Sequence, residues 1–198
     1  MSNRTIAEII REAEELLQTA KFGLQDMVKP ERARSGLRNA VVFGRNTTWA
    51  LQNLRGKVPD FDQWYSPKQE AIKADPLMDY FHNLRTQIEK QASTPTGFRG
   101  RIKQFSSDDI KRFYPAPPNA AGFFIGNSSG GSGWEVFKSD GSIEKYYIDL
   151  PPDIGQLQMT LPGAPDGRTL SAQDLVAAYL EKIEQIVREA RQKFLPSR

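Results

Sequence analysis

Apolar residues recur at helical spacing from the start of the chain. Ile6, Ile9, Ile10, Ala13, Leu16, Leu17 and Ala20 share one stripe, with Arg11, Glu12, Glu14 and Glu15 turned away. Thr5 precedes the stripe and Glu8 follows three residues on, the reciprocal pairing that caps a helix start. Pro30 separates this helix from a second, expected over about residues 31–55, with Leu37, Val41, Gly44, Thr48 and Leu51 inward. Val42 and Trp49 flank that stripe, and Gly56 and Pro59 end it. A third helix is predicted over 61–74, with Phe61, Trp64, Tyr65 and Ile72 near one face. Asp75-Pro76 then reads as a cap followed by proline at the first helical position. A fourth helix follows to about Gln91, burying Leu77, Tyr80, Phe81, Leu84 and Ile88; the proline could instead kink one longer helix.

From Ala92 the pattern changes. Ser93 to Gly97 reads as a connector, and Pro115-Ala116-Pro117-Pro118 as another break, with a short helical turn over 106–112 between them. Phe123-Phe124-Ile125, Trp134 to Phe137 and Ile143 to Ile148 read as strands, with Asp140-Gly141 turning a hairpin and Pro151-Pro152 ending the sheet. Three short strands need cover on one face, so they are expected to pack on the bundle. Ser171, with Asp174 three residues on, caps a last helix carrying Leu175, Tyr179, Ile183, Val187, Ala190 and Phe194. The expectation is a mainly α single domain over 1–198. Its four- or five-helix bundle covers about 5–92 and 170–195, and a small antiparallel β insert covers about 120–150, before the C-terminal helix.

The 198 residues are 38% hydrophobic and 26% charged, which is ordinary for a globular chain able to bury a core. No apolar run is long enough for a membrane span: residues 39–51, the nearest, contain Arg45 and Asn46. Met1-Ser2-Asn3-Arg4 runs straight into the amphipathic pattern without a signal core, so a cytoplasmic protein is expected. Cysteine is absent, which removes disulfides, thiolate metal ligands and a cysteine nucleophile. The net charge of +3, from 27 basic and 24 acidic residues, permits nucleic-acid contact without arguing for it.

Chemistry-bearing residues are few. With one histidine, His82, and scattered carboxylates, no metal site and no cofactor are expected. The glycine- and serine-rich run 126–133 suggests a phosphate cradle, but no Gly-Lys-Ser/Thr follows and it joins two strands. It reads as a strand connection, and its serines have no base partner. The second helix is more informative. Arg38 and Arg45 are seven apart, as are Asn39, Asn46 and Asn53, so Arg and Asn rows run beside the apolar stripe. Such rows satisfy one another across helices, bind a partner, or line a groove for phosphate. Trp64, Tyr65, Tyr80 and Phe81 suit base stacking, but at helical spacing they read as core.

The segment Phe61-Asp62-Gln63-Trp64-Tyr65, Gln69, Asp75-Pro76-Leu77-Met78 and Phe81-His82-Asn83-Leu84-Arg85 resembles the helical core of HEPN-like (higher eukaryotes and prokaryotes nucleotide-binding) proteins, over roughly residues 5–92 and the last helix. The resemblance implies a four- or five-helix bundle, a homodimer, and a toxin–antitoxin or phage-defence setting. Catalytic members cleave RNA with an arginine, commonly followed by a polar residue, and a histidine four to six residues on. Arg85 matches the arginine and Thr86 the polar position, but residues 89–91 are Glu89, Lys90 and Gln91, and His82 precedes Arg85.

The reading that follows is a non-enzymatic helical protein binding a macromolecular partner, either protein or RNA, in a bacterial defence, stress or toxin–antitoxin module. Arg38, Asn39, Arg45, Asn46 and Arg85 would make the contacts. The alternatives are a ribonuclease with an altered site built from Arg85, Lys90 and His82, or a small-ligand sensor using the aromatics around Trp64 and Trp134.

Overall fold

The computed structural model describes residues 4–29, 31–102, 106–113, 115–125, 132–148, 151 and 153–195, with backbone alone at 101, 102, 107, 156 and 157. Pro30, most of the glycine–serine run (126–131), Pro152 and the first three residues lie outside the described residues. The chain divides into two compact units, Met1–Pro95 with Gly163–Arg198, and Thr96–Pro162.

The first unit is helical: α1 (Ile6–Asp26), α2 (Ala33–Gln52), a 3-10 turn (Asn53–Gly56), α3 (Phe61–Ala74), α4 (Pro76–Gln91) and α5 (Ala172–Phe194). The capping reads hold. Glu8 N–H donates to Thr5 Oγ1 at 3.2 Å, and Thr5 N–H donates to Glu8 Oε2 at 2.7 Å. Ser171 and Asp174 repeat the motif at the start of α5. Asp75 Oδ1 accepts from the amides of Leu77 (2.9 Å) and Met78 (3.2 Å). Its extended backbone (φ −84°, ψ 117°) makes α3 and α4 two helices, not one kinked helix.

Leu37, Val41, Leu51, Phe61, Phe81, Leu84 and Ile183 are all buried, and each fully buried side chain of this size contributes about 1.5–3 kcal/mol. Phe81 stacks on Tyr179 with centroids 4.4 Å apart, joining α4 to α5. In α4 three of the expected inward positions differ, since Leu77, Tyr80 and Ile88 are only half-buried. The closest backbone approach joins α1 and α2. A Cβ on Gly36 would lie 2.5 Å from Gly23 O and 2.9 Å from Met27 N, so only glycine fits. Gly44 does the same for α2 and α5, where a Cβ would stand 2.8 Å from Tyr179 Cε1.

The second unit holds β1 (Gly97–Ile102), a 3-10 turn (Ser107–Phe113), β2 (Ala120–Phe124), β3 (Ser132–Phe137), β4 (Ile143–Ile148) and β5 (Gly155–Thr160). β2, β3 and β4 form the expected antiparallel sheet, in that order. Trp134 stands opposite Tyr146 and Phe123. Its ring meets Phe123 edge-on at 5.1 Å, and Phe113 stacks on Phe123. At Asp140-Gly141 the hairpin turns as read, with Gly141 at φ +82° and Lys138 N–H donating to Ser142 O at 2.9 Å.

The β region is wider than the expected 120–150. β1 and β5 form a separate two-stranded antiparallel sheet, Gly97 opposite Thr160 and Ile102 opposite Gly155. The segment read as a connector therefore ends in a strand. The molecule is mainly helical, with small antiparallel sheets placed in the chain before the C-terminal helix.

A cationic cleft between four helices

In the helical unit α2, α3, α4 and α5 surround a cleft of about 250 Å³. Its inner wall is apolar, formed by Met78 of α4 and Ile183 of α5 with Ile72 of α3 beside them. Tyr65 and Tyr179 add two phenols. Burial pushes the Tyr179 hydroxyl up, against the opposing pull of Arg45 and Arg85. The Tyr65 hydroxyl is also raised by burial, opposed by Arg45, Arg55, Gln52 and Thr48. Both phenols therefore stay protonated at neutral pH.

Polar groups come from each helix. Arg45 and Thr48 enter from α2, Gln69 and Lys73 from α3, and Asp79 and His82 from α4. Lys73, Asp79 and His82 are exposed, so they form the rim, while Arg45 is half-buried. Arg45 Nη1 donates to Thr48 Oγ1 at 2.9 Å, and that hydroxyl donates to Arg45 O at 2.8 Å. Arg45 Nε is buried without a hydrogen-bond partner. Among the described residues no carboxylate forms an ion pair with Arg45.

Beside the cleft stands Trp49, 43% exposed. The Arg45 guanidinium lies 5.3 Å from its ring centroid and that of Arg85 lies 4.5 Å away. Two like charges thus share one indole. Arg85 Nη2 pairs with Glu89 at 2.5 Å, and its Nε is also buried without a partner. Leaving such donors dry and unbonded costs about 1–3 kcal/mol each.

The residues singled out in the sequence separate here. Arg45 and His82 line one cleft, and Arg85 joins Arg45 at Trp49. Lys90 is exposed on the last turn of α4 and does not line the cleft. Five residues apart, Arg85 and Lys90 stand about 140° apart around the helix. Arg38 serves the fold: its Nε donates to Thr94 Oγ1 (2.8 Å) and its Nη2 to Ala92 O (3.3 Å), tying α2 to the end of α4. Asn39 sits against α1, its Cβ 3.0 Å from where a Gly23 side chain would begin. Asn46 is half-exposed and lines no part of the cleft, and Asn53 donates to Ala50 O at 3.0 Å. Of the aromatics read as core, Tyr65 and Phe81 are buried, while Tyr80 and Trp64 are half-buried, Trp64 packing edge-on against Phe194 at 5.1 Å.

Sequence reading passed over Trp49, Thr48, Gln69, Lys73 and Asp79 as site residues. A tryptophan four residues after an arginine, with Asp79 three before His82, was the only local signal. Among the described residues no group of His, Asp or Glu could hold a metal, and no helix is long and apolar enough to cross a membrane.

Residues 10–96, which include α2 to α4, match the sequence model of the family described as Bacteriophage lambda protein ea47. No curated protein and no solved structure matches the chain.

Proposed function

We propose that the helical unit is a non-enzymatic binding module whose partner is single-stranded RNA, held at Trp49 between Arg45 and Arg85. The observation that carries this reading is the pair of guanidiniums beside one exposed indole. A base stacks on an indole whatever its identity, and flanking cations meet the phosphates. The open Arg45, without a carboxylate partner, keeps charge available for a polyanion. The HEPN-like resemblance, a bacterial defence, stress or toxin–antitoxin setting, and a cytoplasmic location belong to the same reading. A family match named for a bacteriophage protein is in keeping with that setting. The homodimer belongs to it too, supported by Phe22 (54% exposed) and Val28 (71% exposed) near the end of α1. Light scattering of the purified chain reads that mass directly.

A second reading, a ribonuclease with a degenerate site, draws on His82 sharing a cleft with Arg45. Against it, Lys90 lies away from that cleft. Incubation with mixed RNA separates the two. The binding reading expects intact RNA retained on the protein, whereas cleavage lost in Arg85→Ala would establish the ribonuclease in its place.

A further inference from the structure

We infer that the four-helix cleft binds a small organic carboxylate with an apolar body, anchored by Arg45. This goes beyond the RNA reading and does not rest on it. The two sites share Arg45, but the cleft interior is separate from the Trp49 surface.

The anchor is specified by the hydrogen bonds Arg45 already makes. Nη1 donates to Thr48 and no carboxylate among the described residues pairs with Arg45, so the guanidinium keeps an edge for an anion entering the cleft that Arg45 lines. A planar carboxylate meets such an edge with two parallel hydrogen bonds. The inner wall formed by Met78, Ile183 and Ile72 then favours a hydrocarbon body over a sugar or a second phosphate. Further cationic charge is confined to the rim, at Lys73, where it attracts an anion without meeting the inner end. Asp79, the one acid in the lining among the described residues, is also on the rim and accepts from Asn83 Nδ2 at 3.2 Å. Among the described residues Arg45 is the one arginine in the lining, too few donors for a phosphate dianion, and the volume of about 250 Å³ suits a small molecule.

The test is calorimetric titration of the full chain with phenylacetate and octanoate, against phenethyl alcohol, inorganic phosphate and AMP. The expected result is saturable binding of at least one carboxylate, about tenfold or more tighter than phenethyl alcohol. Arg45→Gln should erase the preference for phenylacetate over phenethyl alcohol while the helical circular dichroism stays unchanged. Ile72→Glu places a competing carboxylate on the cleft wall and should abolish phenylacetate binding, yet keep RNA binding at Trp49. Equal affinity for the alcohol, tighter binding of AMP or phosphate, or no carboxylate binding at all would overturn the inference. RNA binding measured on the same samples shows separately whether the Trp49 reading stands.

Discussion

Replacing Gly36 by alanine sets helix propensity against packing. In a helix interior alanine is favoured over glycine by about 1 kcal/mol, so the sequence alone argues for stabilisation. The structure argues the reverse. A Cβ at Gly36 would meet Gly23 O at 2.5 Å and Met27 N at 2.9 Å, both backbone atoms of α1 that no rotamer change can move. Overpacking of this kind costs about 1–3 kcal/mol, and rigid neighbours place it near the upper end. The net expectation is a loss of about 2 kcal/mol, or roughly 4–8 °C in the thermal midpoint of a chain this long. Gly56→Ala is the control, because nothing lies within 4 Å of a Cβ there. Thermal melts followed at 222 nm should show Gly36→Ala well below wild type and Gly56→Ala level with it or slightly above. A Gly36→Ala protein more stable than wild type would refute the close approach of α1 and α2.

Other substitutions bear on the sheet, the caps and the core. A Cβ on Gly133 would lie 1.9 Å from Tyr146 O, so Gly133→Ala should part β3 from β4 and flatten the near-ultraviolet signal of Trp134. Burial raises the Asp75 carboxyl, but Lys182 and the amides of Met78 and Leu77 outweigh it, and its pKa is lowered. Its stabilising effect is therefore complete above the unfolded value near 4 and is lost as pH falls through the lower folded value. The melting point of wild type should fall more steeply between pH 5 and pH 2 than that of Asp75→Asn, by about 1 kcal/mol in all. Tyr179→Phe removes only a long bond to Val41 O (3.5 Å) and should cost less than about 1 kcal/mol in urea unfolding. Phe81→Ala, in the same stacked pair, should cost about 3–5 kcal/mol.

The helices were legible because their signals are local. Thr5 with Glu8, Asp75 with Pro76 and Ser171 with Asp174 each mark a start within four residues, and the structure shows each cap formed. The hairpin at Asp140-Gly141 was legible for the same reason. β1 and β5 were not, because Gly97 and Thr160 pair across more than sixty residues with no single tight turn joining the two strands. Gly97, Gly100 and Gly155 also dilute the strand signal. The site divides in the same way. The seven-residue spacing singled out Arg38 and Arg45 together, yet Arg38 is tied to Thr94 and Arg45 reaches the cleft. Equal spacing puts two residues on one face but does not say what each meets farther along the helix. That Arg45 and Arg85 share Trp49 depends on how α2 packs on α4, which neither helix encodes alone.

The most direct test of the central claim is fluorescence anisotropy with a labelled single-stranded RNA, using wild type, Trp49→Ala and Arg85→Gln at one fixed salt concentration. The account expects saturable wild-type binding that weakens with added salt, and a loss of about tenfold on Trp49→Ala, within the range of one base stack. Arg85→Gln should weaken binding and reduce its salt dependence. Wild-type protein that binds no RNA, or binds it equally well without Trp49 and Arg85, would contradict the account.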